Sequence, residues 1–133
     1  MKVAFICHQN ACRSQMAEAF AKRAFPAGVE VVSAGLHPVD EVNPNAVKVM
    51  GEVGFDLTGA RPKTITEEVM LGATLVVTMG CVEQCPLVPP GTPVEDWGLP
   101  DPAGKDLDFF RDVRDRVRDK VEELAKRLAK TDD

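Results

Sequence analysis

Two short runs that are apolar without alternation, Val3-Ala4-Phe5-Ile6 and Ala73-Thr74-Leu75-Val76-Val77-Thr78, set the strongest limit on how this chain folds. A strand with one face in water alternates apolar and polar residues, whereas an unbroken run calls for cover on both faces of a sheet. Helical patterns lie between and after these runs. Met16, Ala17, Phe20, Ala21 and Ala24 recur at three and four residues and predict a helix over Ser14 to Phe25, stopped by Pro26 and Gly28. Val29 to Ser33 reads as a second strand closed by Gly35, and Val94 to Asp96 as a short fourth.

A loop carrying Pro38 and Pro44 leads to a helix near Asn45 to Val53, with Gly54 at its end. Thr66 and the Glu67-Glu68 pair supply a cap and negative charge for a short helix over Thr66 to Leu71. Phe110, Val113, Val117, Val121, Leu124 and Leu128 form one apolar stripe of a final helix. Asp112–Arg116, Glu122–Lys126 and Glu123–Arg127 are opposite charges one turn apart on its other faces. Strands alternating with helices predict an α/β three-layer sandwich with a mainly parallel four-stranded sheet. Residues 1–133 are expected to form a single domain.

In such folds ligands bind beyond the carboxyl ends of the strands. Cys7, Cys81 and the stretch Asp96 to Asp101 all fall at or just after predicted strand ends, which gathers the chemistry on one sheet edge. The first of these junctions reads Cys7-His8-Gln9-Asn10-Ala11-Cys12-Arg13-Ser14. A loop between a strand and a helix N-terminus turns its backbone N–H groups into one concavity, where the helix dipole adds positive potential. His8, Gln9, Asn10, Ala11, Cys12 and Arg13 are therefore the candidate oxyanion-binding residues. Arg13 suits a tetrahedral oxyanion because its guanidinium offers two parallel hydrogen bonds. The same field is expected to lower the pKa of Cys7, the candidate nucleophile, and Ser14 can donate to its thiolate. Asn10 is a residue type that tolerates the left-handed backbone a tight loop demands.

The remaining reactive groups are less tightly defined. Cys81 and Cys85 stand four apart after the third strand, where a disulfide, a metal site or two free thiols are each sterically open. His8 and His37 have no convincing ligand spacing to them, so no metal is expected there. A thiol relay is the better explanation if that loop approaches Cys7. Asp101, between Pro100 and Pro102, sits on a stiff loop suited to holding a general acid over a bound anion.

Composition narrows the function classes. A net charge of −5 with no basic cluster argues against a nucleic-acid partner. The apolar run ending at Cys7 is too short for a signal peptide or a spanning helix, so no membrane partner and a cytoplasmic location are expected. Four cysteines in such a chain point to catalysis, redox chemistry or metal binding ahead of structural bridges.

Cys7-His8-Gln9-Asn10-Ala11-Cys12-Arg13-Ser14-Gln15-Met16-Ala17-Glu18 resembles the phosphate loop of low-molecular-weight protein tyrosine phosphatases, and more closely that of the thioredoxin-coupled arsenate reductases built on the same fold. The likeness continues through Ser33-Ala34-Gly35, Leu75-Val76-Val77-Thr78-Met79, Cys85-Pro86 and Asp96-Trp97-Gly98-Leu99-Pro100-Asp101-Pro102-Ala103-Gly104. The phosphatase branch typically carries aromatic residues, often tyrosine, after its Asp-Pro; this chain has no tyrosine. The resemblance implies that Cys7 attacks arsenate held by the loop and Arg13, that Asp101 assists departure of hydroxide, and that a disulfide relay runs through Cys81 and Cys85. It implies no tightly bound cofactor, an external reductant (thioredoxin or a low-molecular-weight thiol), and phosphate or sulfate as competing oxyanions. Some relatives bind a potassium ion near the loop, and Asn10, Glu18 and Ser33 match part of that site. The chain departs from the pattern twice: Cys81 and Cys85 are closer together than in many members, and Gln9 stands where the phosphatases carry glycine.

Two other functions fit parts of the pattern. A phosphatase acting on phosphotyrosine or small phosphoesters would use Cys7, Arg13 and Asp101 through a phosphocysteine. A non-enzymatic oxyanion- or metal-responsive binding protein would need only the loop. Arsenate reduction alone requires Cys81 and Cys85.

Overall fold

The computed structural model describes residues 1–80 and 87–131. Four strands, β1 (Lys2–Cys7), β2 (Glu30–Gly35), β3 (Leu75–Thr78) and β4 (Val94–Asp96), form one sheet in the order β2-β1-β3-β4. All three pairings are parallel. Helices α1 (Arg13–Ala24), α2 (Pro44–Glu52), α3 (Glu67–Met70) and α4 (Leu107–Thr131) complete the α/β architecture.

The unbroken apolar run of β1 is explained by cover on both sheet faces. Val3, Phe5 and Cys7 pack into a core with α1, α2 and α4, through Met16, Phe20, Val49, Met50, Phe110, Val113 and Val117. Ala4 and Ile6 face the other way, against Ile65, Met70, Ala73 and Val76. The second face is thus covered by the short α3 and its flanking segments, while three helices cover the first. The stripe predicted for α4 is buried throughout, from Phe110 to Leu128.

The element boundaries hold to within a residue or two, with local reasons for each difference. Pro44, expected in the preceding loop, opens α2 as its first residue: its missing N–H costs nothing there, and Asn43 caps by accepting from Asn45 N. Thr66 caps α3 through a bond from Val69 N. The predicted pair Glu123–Arg127 gives way to a tertiary partner, because Arg127 forks onto both carboxylate oxygens of Glu95 at 2.9 and 2.8 Å. Arg111 and Arg114 likewise reach from α4 to Glu52 on α2.

The register puts the carboxyl ends of all four strands on one edge, with Cys7 opposite Gly35, Ile6 opposite Thr78, and Thr78 opposite Asp96. From β1 the chain leaves to β2 on one side and returns to β3 on the other. The crevice above β1 and β3 is therefore the place where a parallel sheet binds ligands.

Candidate active site

The loop from Cys7 to Arg13 crosses that crevice. Asn10 takes the left-handed backbone expected of it, with φ of 53°. Its side chain turns inward and is fully bonded: Nδ2 donates to Ser14 Oγ (2.7 Å) and Ser33 Oγ (3.0 Å), while Oδ1 accepts from Gln15 Nε2 (3.0 Å) and Lys63 N (2.9 Å). This uses both hydrogens and both lone pairs of the amide. Close backbone approach fixes the loop from the other side. A Cβ on Gly35 would lie 2.8 to 2.9 Å from Asn10 N, Gln9 C and His8 O, so only glycine fits at the end of β2.

Among the described residues, two groups lie within hydrogen-bond reach of the buried Cys7 sulfur. Asn10 N lies at 3.2 Å and Ser14 Oγ at 2.8 Å. Ser14 Oγ accepts from Asn10 and keeps its own hydrogen free, so it can donate to a Cys7 thiolate, which can only accept. Hydrogen bonds of this polarity favour a sulfur anion.

Arg13 is almost wholly buried, and its two edges have different tasks. Nη1 donates to Met79 O at 2.9 Å and to Leu99 O at 2.8 Å, clamping the end of β3 to the loop that carries Asp101. Nη2 lies 3.6 Å from Asp101 Oδ2, and Nε is a buried donor with no hydrogen-bond partner among the described residues. The Nε–Nη2 edge is the forked pair that matches an oxyanion, so the side chain is tied by one nitrogen and presents the other two.

Cys7, Gln9, Ala11, Cys12, Arg13 and Asp101 line one small cleft. Asp101 is half exposed; its Oδ1 accepts from Ala103 N at 3.0 Å, leaving Oδ2 toward Arg13. Its loop is anchored by Trp97, whose ring centroid lies 5.6 Å from that of Phe5, and by Asp96, which accepts from Thr78 Oγ1 and Gly98 N. His8 sits at the rim, its ring 5.0 Å from that of His37. Cys12 is buried beneath the cleft. Burial pushes its thiol up to about 12, with the charges of Asp101 and Cys7 adding to the rise and Arg13 opposing it.

Of the residues predicted from sequence, Cys7, Ser14, Arg13, Asp101 and the loop are brought together. Cys81 and Cys85 lie outside the described residues. The potassium trio Asn10, Glu18 and Ser33 is adjacent, and Glu18 there pairs with Lys22 Nζ at 3.0 Å and Lys63 Nζ at 3.5 Å. Among the described residues no group of three or more His, Cys, Asp or Glu could hold a metal ion, and no helix is long and apolar enough to cross a membrane.

Five contributors were not read from sequence. Met79 and Leu99 serve Arg13 through backbone carbonyls, which leave no mark on residue type. Gln15 and Lys63 act only through the folded position of Asn10. Gly80 was not singled out either, although a Cβ there would lie 2.9 Å from Gly98 Cα, packing the approach to Cys81 against the Asp101 loop.

Residues 2–133 match the pattern of the low molecular weight phosphotyrosine protein phosphatase family. The chain is 42% identical over 130 residues to an arsenate reductase of Bacillus cereus, covering 96% of this chain and 92% of that one. Its structure superimposes on an arsenate reductase in the phosphate binding state with a TM-score of 0.85 at 39% identity, covering 96% of this chain and 98% of the other. It also matches the thioredoxin-dependent arsenate reductase of Corynebacterium glutamicum with a TM-score of 0.82 at 32% identity, over 98% of this chain and 62% of that longer one. With its phosphate-loop cysteine and arginine at the end of β1 and its aspartate on the loop beyond β4, the chain belongs to the low-molecular-weight phosphotyrosine protein phosphatase family.

Proposed function

We propose that this chain is an arsenate reductase that uses Cys7 as nucleophile and a thiol–disulfide relay to take up two electrons. The observation that carries the reading is the forked Nε–Nη2 edge of Arg13, buried beside the Cys7 sulfur and facing Asp101. The similarity to chains named arsenate reductase supports arsenate as the oxyanion.

In the first step the Cys7 thiolate attacks arsenic in arsenate held by Arg13 and the loop. Asp101 gives a proton to the departing oxygen, which leaves as water, and a sulfur–arsenic bond remains. In the second step a thiolate attacks the Cys7 sulfur. The electron pair of the sulfur–arsenic bond passes to arsenic, arsenite leaves, and a disulfide forms. We assign Cys81 as that attacker and Cys85 as the thiol that then displaces Cys7, leaving a Cys81–Cys85 disulfide for an external dithiol. Thioredoxin is the favoured reductant, in keeping with the thioredoxin-dependent relative; a low-molecular-weight thiol attacking the adduct is the alternative. Phosphate and sulfate compete for the same cradle. The cytoplasm, where thiols are kept reduced, is the compartment this chemistry needs.

A second reading, phosphoester hydrolysis through a phosphocysteine, is favoured by the family itself and needs only Cys7, Arg13 and Asp101. Cys81→Ser and Cys85→Ser, each assayed for arsenate reduction with thioredoxin and for hydrolysis of p-nitrophenyl phosphate, separate the two. The reductase reading expects arsenate reduction to fall by about 100-fold or more while any hydrolysis persists. Arsenate reduction surviving both substitutions would overturn the relay.

A further inference from the structure

The hydrogen-bond network around Asn10 ends on the Cys7 sulfur on one side and on the Glu18 carboxylate on the other. Its Nδ2 hydrogens run through Ser14 to the Cys7 sulfur and through Ser33 to Glu18 Oε1. Each hydroxyl accepts from Asn10; Ser33 passes its hydrogen on to Glu18, and Ser14 can pass its own to a Cys7 thiolate. Glu18 is largely shielded, with a side chain 13% exposed. A carboxylate so placed is costly unless a cation and further donors accompany it.

Lys63 meets that need twice over. Its backbone N–H donates to Asn10 Oδ1 at 2.9 Å, and its ammonium lies 3.5 Å from Glu18 Oε1, the oxygen that Ser33 bonds. One residue therefore grips both the centre and the far end of the network. Its position is fixed by the backbone, because Lys63 O accepts from Gly35 N and Thr64 forms a parallel bridge with Gly35. Lys22 also pairs with Glu18, but through Oε2, and it touches neither Ser33 nor Asn10 in these bonds.

We propose that Lys63 is a positioning residue whose tethered ammonium supplies the positive charge that a bound potassium ion would otherwise bring to Glu18, Ser33 and Asn10. By fixing Glu18 it keeps Ser33 and Asn10 aligned, and with them the Asn10 N–H and Ser14 hydroxyl on the Cys7 sulfur. The loop then needs no monovalent ion. The proposal rests on no particular reaction at Cys7, so its failure leaves the reductase reading standing.

The test is the rate at which iodoacetamide modifies Cys7 at pH 7, read on the Cys7 peptide by mass spectrometry, in potassium chloride and in choline chloride at equal ionic strength. The unchanged protein reacts equally in both salts. Lys63→Met keeps the backbone bond but loses the charge; in choline chloride it reacts about 3- to 10-fold more slowly, and potassium recovers most of the loss. Lys63→Arg and Lys22→Met react as the unchanged protein does. Far-UV circular dichroism establishes that each variant is folded, as the half-exposed Lys63 side chain leads one to expect. A potassium response in the unchanged protein, an unslowed Lys63→Met, or a slowed Lys63→Met that potassium does not restore would each overturn the proposal.

Discussion

Ser14 Oγ lies 2.8 Å from the Cys7 sulfur and accepts Asn10 Nδ2 at 2.7 Å, which leaves its single hydrogen available to a Cys7 thiolate. The bond joins the first residue after Arg13 in α1 to the last residue of β1, and it is buried. A nucleophile held in this way has a donor aimed at its negative charge before any substrate arrives.

Ser14→Ala removes that donor and leaves Asn10 Nδ2 without one of its acceptors. A hydrogen bond to a charged group contributes roughly 1.5–3 kcal/mol, so Cys7 alkylation at pH 7 should slow by about 10-fold or more. The first-order loss of arsenate-reducing activity should follow the same factor. Alkylation at the unchanged rate would mean that the Ser14 hydrogen does not serve the sulfur.

Cys12 gives a pH-dependent signature. Burial, first among the causes, raises its thiol from 9.0 to about 12 in the folded protein. Above pH 9 the unfolded thiol sheds its proton while the folded one keeps it. The folded state then binds more protons, and raising the pH favours unfolding. This contribution is whole below pH 9 and is lost as the pH climbs toward 12, with a limiting slope of about 1.4 kcal/mol per pH unit. Denaturant titrations of Cys12→Ala and the unchanged protein should therefore converge as the pH rises through this window. Parallel stability curves would contradict the shift. At neutral pH the same protonated thiol should resist alkylation while Cys7 reacts.

Gly35 and Gly59 offer a matched pair. A Cβ at Gly35 meets three loop backbone atoms at 2.8 to 2.9 Å, whereas one at Gly59 meets nothing within 4 Å. Gly35→Ala should cost about 1–3 kcal/mol of stability, as overpacking against rigid neighbours does, and should slow Cys7 alkylation by displacing Asn10. Gly59→Ala should change neither. Thermal unfolding with the alkylation assay checks both; a stable and fully reactive Gly35→Ala would show that the loop is not held by this contact.

The sheet and its helices were legible because burial leaves a period in the sequence. The run Val3 to Ile6 and the stripe Phe110 to Leu128 each mark a surface that must be covered, and both are. Cys7, Arg13 and Ser14 were legible because a short loop before a helix confines their geometry. What escaped depends on residues distant in sequence. Arg13 is clamped by carbonyls 66 and 86 positions away, which any residue type supplies. Arg127 follows Glu95 rather than its helical neighbour Glu123, because two forked bonds outweigh a single exposed pair. Lys63 looks like any surface lysine until Gly35 brings its backbone against Asn10.

The relay itself is tested most directly by a single turnover with arsenate and no reductant, followed by arsenite quantification and peptide mass mapping without reduction. The account predicts arsenite in an amount equal to the chain, a disulfide joining Cys81 to Cys85, and Cys7 returned to a free thiol. No arsenite, with Cys7, Cys12, Cys81 and Cys85 all still free, would contradict it.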